Sequence, residues 1–119
     1  MALNTTTNRI DGVIVVYCSG FLVFGEESAS LRILVKDLLK KSRQIVLDLR
    51  DVTHIDSDGL GTLVALYLSA RNVGGGLKLA NVGSRVNRSL QITKLVTVLE
   101  VFDKAEDAIA SFKRAAAAT

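Results

Sequence analysis

The apolar positions of this chain change their spacing several times, and each change marks an element. In "TNRIDGVIVVYCSG" two extended stretches flank Asp11-Gly12. That pair suits the positive φ angles of a tight type I′ turn, so an antiparallel hairpin is expected to open the fold. In "SLRILVKDLLKK" the period becomes helical: Leu31, Leu34, Val35, Leu38 and Leu39 share one stripe, with Arg32, Lys36, Asp37 and Lys40 away from it. A helix from about Glu27 to Lys41 follows. "QIVLDL", Gln44 to Leu49, is short and aliphatic, as suits a central strand buried on both faces. After an expected loop, "RDVTHIDSD", the segment Gly59 to Asn72 places Leu60, Leu63, Val64, Tyr67 and Leu68 on one helical face and ends at "VGGG".

The remaining segments alternate in the same way. "LKLANV" reads as a strand, "SRVNRSLQITKLV" as a helix with Ser84 as candidate N-cap, "VLEVF" as an edge strand and "KAEDAIASFKRA" as a closing helix. Strands separated by single helices pair in parallel through right-handed crossovers. The fold class is therefore α/β: a mixed, mostly parallel sheet opened by a β-hairpin, with four helices packed on it. The 119 residues suit one domain, 1–119, without proline, repeat or linker. The tail "AAAAT", 115–119, is expected to fray.

Composition narrows the function. A hydrophobic share of 49% fits a globular chain, and a net charge of +3 spread among acidic residues does not suggest a nucleic-acid partner. The absence of Trp removes one stacking platform for single strands. The single cysteine, Cys18, lies in an apolar run and reads as a buried thiol in a reducing compartment. "MALNTTTNRI" has no signal-peptide pattern and no apolar run approaches bilayer length, so a cytoplasmic protein without direct membrane insertion is expected.

Candidate chemistry concentrates after the central strand, where Asp48, Asp51, Asp56 and Asp58 are expected at and beyond the strand's C-terminal end. A metal-dependent phospho-acceptor aspartate would need an acidic pair from another strand end and a lysine from a third, which the first strands do not supply. His54, the only histidine, has no serine- or cysteine-centred motif beside it. Gly74 to Gly76 follow a helix instead of opening one, so they read as a turn and not a phosphate cradle. No Cys/His spacing suggests zinc. Neither catalytic residues, nor a metal, nor a cofactor is expected, and the chain is read as a non-enzyme. What remains is "VTHIDSDGLG", Val52 to Gly61, at the start of the second helix. Asp56, Ser57 or Asp58 could cap that helix, or the segment could be a working surface; the residue types fit both.

The stretch "IVLDLRDVTHIDSDGLGTLVAL" resembles the signature of the STAS domain, the fold of bacterial anti-sigma factor antagonists. It joins a strand ending in Asp48-Leu49, a spacer, Ile55-Asp56-Ser57, and Gly59-Leu60-Gly61 opening a helix; "GGGLKLANV" and "LVTVLEVFDKAEDAIASF" resemble the family's later elements. The resemblance implies a STAS fold and a switch protein that binds an anti-sigma factor, itself a serine kinase, and so regulates sigma-factor-dependent transcription. Other STAS proteins or a second copy of the chain are alternative partners. It also implies a phospho-acceptor Ser or Thr immediately before the first glycine of "GLG", where this chain has Asp58. Ser57 and Thr53 are candidate substitute acceptors, and Asp56, Ser57, Asp58, Gly59, Leu60 and Phe24 candidate partner-binding residues. In "SGFLVFGEE" the acids come only at Glu26 and Glu27, after Val23 and Phe24, which shifts the expected contact towards an apolar one through Phe21 or Phe24. The alternative within the same fold is a non-phosphorylated scaffold or a subunit associated with a membrane transporter.

Overall fold

The computed structural model describes residues 3–118, with side chains described as far as Arg114. The expectation of a frayed tail at 115–119 falls outside the fully described residues. In chain order the elements are β1 (Leu3–Ile10), β2 (Val13–Leu22), α1 (Glu26–Leu38), β3 (Gln44–Ile55), α2 (Ser57–Asn72), β4 (Gly76–Ala80), α3 (Ser84–Ile92), β5 (Val101–Phe102) and α4 (Ala105–Ala118), with a 3-10 turn at Leu95–Thr97.

The five strands lie in sequential order in one sheet. β1 pairs antiparallel with β2, and each later neighbour is parallel. Asp11 and Gly12 both have positive φ, 53° and 79°, which is the twist a two-residue hairpin needs. A sheet that grows in one direction through right-handed crossovers must place α1, α2 and α3 on one face. There, Leu31 and Val35 of α1, Leu63 and Leu66 of α2, and Val86 and Leu90 of α3 join Ile45, Leu47 and Leu49 in one core. α4 covers the other face, where Ala108, Ile109 and Phe112 pack on Val13, Val15, Val46 and Ala80. The central strand is thus buried on both sides, as its aliphatic run requires. On the α4 face the buried Lys78 donates from Nζ to Ser111 Oγ at 2.6 Å, with Nζ 4.2 Å from the Phe112 ring centre. A cation is tolerated there because oxygen and aromatic faces surround it.

Several boundaries differ from the expectation. β3 continues through the supposed loop to Ile55, because Asp51, Val52, His54 and Ile55 pair with the end of β2 across two register shifts. The shifts break strict alternation, so the segment does not read as a strand. The buried face of α2 includes Leu66 and Ala70, while Leu68 is 53% exposed. Lying between α1 and α3, α2 buries a broad face that its apolar residues do not mark uniquely. α3 stops at Ile92, and Lys94 takes a left-handed φ of 60° before the 3-10 turn. Gly83, not Ser84, occupies its N-cap.

Candidate functional site

The start of α2 is held by one carboxylate with two partners. Asp56 is the extended N-cap residue; its Oδ1 accepts from the Gly59 N–H at 2.8 Å. Its Oδ2 accepts from the Phe24 N–H at 3.0 Å, in the turn between β2 and α1. The N–H groups of Phe24 and then Gly59 hold the Asp56 carboxyl below the usual carboxylate range, since both bonds favour the charged form. Asp56 is therefore a cap and also a tie between two crossover segments.

Gly59 makes the close approach possible. A Cβ at this position would lie 2.1 Å from the Leu22 carbonyl oxygen, so the first turn of α2 rests directly on the end of β2. Leu60 is buried in the main core. Gly59 and Leu60, both expected at a partner surface, face inward and shape that surface by seating the helix. Ser57 is exposed and Asp58 half-buried. The Asp58 side chain has no hydrogen bond or ion pair among the described residues. Phe24 is 76% exposed, held next to this turn by its own N–H. Asp56, Ser57, Asp58 and Phe24 are thus brought together.

The last residue of the expected working segment, Gly61, stays at this surface. Gly61 is exposed, and a Cβ there would meet nothing within 4 Å. The two glycines of "GLG" therefore differ: the fold requires Gly59, whereas Gly61 leaves open space on the outer side of α2. Only the packing separates them.

Thr53 sits in β3, exposed, with Oγ1 3.0 Å from His54 Nδ1 and 3.4 Å from the Gly20 carbonyl oxygen. Arg85 Nη1 lies 3.2 Å from His54 Nε2. Guanidinium only donates, so Nε2 accepts, Nδ1–H donates to Thr53 Oγ1, and the hydroxyl donates to Gly20. Of the two substitute acceptors, Ser57 has the freer setting. Phe21 stacks on the His54 ring, with centroids 4.0 Å apart, and is half-buried; Phe24 supplies the exposed apolar contact. Glu26 and Glu27 form the first turn of α1, where they complement the helix dipole.

The four aspartates do not form one cluster. Asp48 is buried on the α4 face, its Oδ1 accepting from the Arg50 N–H at 3.0 Å and Oδ2 from Asn81 Nδ2 at 2.9 Å. Asp51 is exposed further along β3. The continuation of β3 to Ile55 separates Asp48 from the Asp56–Asp58 turn. Among the described residues no group of three or more His, Cys, Asp or Glu could hold a metal ion. Burial, and then the nearby Asp48 charge, push the Cys18 thiol up to about 12. Gly74, with φ 76°, and Gly75, whose Cβ would meet the Arg43 carbonyl oxygen at 2.1 Å, make the turn after α2.

With this geometry, the family model described as the STAS domain matches residues 4–108. The chain belongs to the STAS domain family. This STAS domain is 32% identical over 79 residues to the anti-sigma-B factor antagonist of Bacillus subtilis strain 168, covering 66% of the chain and 72% of that relative. A solved structure of a Thermotoga maritima protein described as an anti-sigma factor antagonist superposes with a TM-score of 0.82 at 28% identity, covering 90% of this chain and 92% of that one. A sulfate transporter family protein from Wolinella succinogenes has a TM-score of 0.71 at 24% identity, covering 89% and 88%, and shares the fold. No helix of the described STAS residues is long and apolar enough to cross a membrane.

Proposed function

We propose that this STAS domain is an anti-sigma factor antagonist that docks on an anti-sigma factor of the serine-kinase type, so regulating sigma-factor-dependent transcription without catalysis of its own. The observation that carries the reading is the Asp56 tie, which sets the exposed Phe24 beside the first turn of α2. A partner meeting this surface finds an apolar side chain, a helix N-terminus and the Asp58 carboxylate in a prearranged geometry. Prearrangement lowers the ordering cost of binding. The likeness to the Bacillus subtilis antagonist supports the same reading.

In this proposal Asp58 stands where the family's phospho-acceptor stands. A phosphoserine carries about −1.5 to −2 charges and three acceptor oxygens, while aspartate carries one charge on a shorter arm. Asp58 has no hydroxyl for a serine kinase to modify, so the domain stays bound to its partner when ATP is present. Affinity capture from the source cell's lysate with wild type and Asp58→Ser tests this. Both forms are expected to retain a serine-kinase anti-sigma factor, and only Asp58→Ser is expected to be released by ATP. Capture of membrane transport subunits instead, with no such kinase, would move the domain to the transporter-associated reading that the Wolinella likeness supports.

A further inference from the structure

The outer side of the α1–α2 pair carries apolar surface that neither the core nor the Asp56 turn uses. Ile33 of α1 is 71% exposed, Leu68 of α2 is 53% exposed, and Val73 after α2 is 45% exposed. One open groove runs between the C-terminal halves of the two helices, lined by Lys36, Leu39 and Lys40 on one side and Ser69, Asn72 and Val73 on the other. A second depression beside it is formed by Ser30, Ile33, Leu34 and Asp37. Lys36 and Lys40 wall both grooves, and neither ammonium has an ion-pair partner among the described residues. Two lysines near a helix C-terminus favour the dipole, but the dipole does not account for the exposed Ile33 and Val73 beside them.

We infer that this groove is a second docking surface, and that it takes an amphipathic helix of another protein with carboxylates flanking its apolar stripe. Two neighbouring helices leave a furrow into which a third can lay its side-chain ridges. The apolar stripe would cover Ile33, Leu39 and Val73, and its flanking carboxylates would meet Lys36 and Lys40. Charge also decides against a second copy of this chain. A symmetric contact through the groove would set Lys36, Lys40 and the lone Asp37 against the same three residues, which leaves an excess of like charge. The surface lies towards the C-terminal ends of α1 and α2, away from the N-terminal turn of α2, so a helix seated here would not cover Asp58.

Two synthetic helical peptides with the same leucine stripe, one flanked by glutamates and one by lysines, test the inference against the isotope-labelled full chain by amide chemical-shift titration. The glutamate peptide is expected to move and saturate the amides of Ile33, Lys36, Leu39, Lys40 and Val73, and the lysine peptide to leave them in place. Lys36→Glu combined with Lys40→Glu should weaken the glutamate peptide by roughly tenfold, as loss of two exposed ion pairs predicts, and admit the lysine peptide. Ile33→Ser, on an exposed position, should weaken binding while keeping the native spectrum. Equal binding of both peptides, no binding, or shifts centred on the Asp56 turn would overturn the inference. So would concentration-dependent shifts of the groove amides in the chain alone, which would make the occupant a second copy.

Discussion

Asp48 and Asp56 are both held by N–H donors near the C-terminal part of β3, yet they serve opposite ends. Asp48 is buried and spends its oxygens on Arg50 and Asn81, fastening β3 to the end of β4. Asp56 spends its oxygens on Gly59 and Phe24 and so builds an exposed surface. A hydrogen-bonded aspartate is therefore no sign of function in itself. What matters is whether its donors belong to the sheet or to segments that face solvent. The two regions can be separated by substitutions that break one and leave the other.

The largest effect is expected from Gly59→Ala. Its Cβ would meet the Leu22 carbonyl oxygen at 2.1 Å, and backbone cannot yield as a side chain can. A loss of about 3 kcal/mol, the upper range for overpacking, should appear in the denaturant midpoint. A neutral result would mean that α2 does not rest on β2 as described. Asp48→Ala should cost about 1–3 kcal/mol, because the half-buried Asn81 amide and the Arg50 N–H both lose a charged acceptor. Partner capture should survive it once the domain is folded, which separates the sheet fastening from the surface.

Asp56→Ala should cost about 1 kcal/mol as a lost N-cap and release the Phe24 amide, with a loss of partner affinity larger than the stability change explains. Its pH dependence has a definite sign. The folded carboxyl titrates below its unfolded value of about 3.9, so its contribution is full above that value and is lost as the pH falls through the lower folded one. The Phe24 and Gly59 amide resonances should move together only in that acid window; movement near neutral pH would contradict the tie. Gly61→Ala should have the smallest and opposite effect, a gain of about 0.5–1 kcal/mol, since a Cβ there meets nothing and alanine is the better helix former. Destabilisation by Gly61→Ala would remove the contrast between the two glycines.

Much of this was legible in the chain because the signals were local. The Asp11-Gly12 hairpin, the aliphatic run of β3 and the glycine-rich turn after α2 each follow from residue type and spacing. The α1 stripe was read correctly at Leu31, Val35 and Leu38, all buried. The continuation of β3 was hidden because its pairing with β2 slips register twice. The aspartate cluster was misread for the same reason: treating Arg50 to Ile55 as a loop drew Asp48 towards Asp58. Nor could spacing distinguish Gly59 from Gly61, because the difference is a carbonyl oxygen contributed by Leu22. The partnership of Asp56 with the Phe24 backbone depends on a tertiary approach that residue type does not encode.

Phosphate transfer in a purified mixture of the captured kinase, magnesium ATP and the domain, read by intact mass together with complex retention, shows whether the switch is lost at Asp58. Wild type is expected to stay unmodified and bound, and Asp58→Ser to gain one phosphate and dissociate. Phosphate on wild-type Ser57 or Thr53 with release of the partner would contradict the claim, because the switch would then have moved within the loop instead of being lost at Asp58.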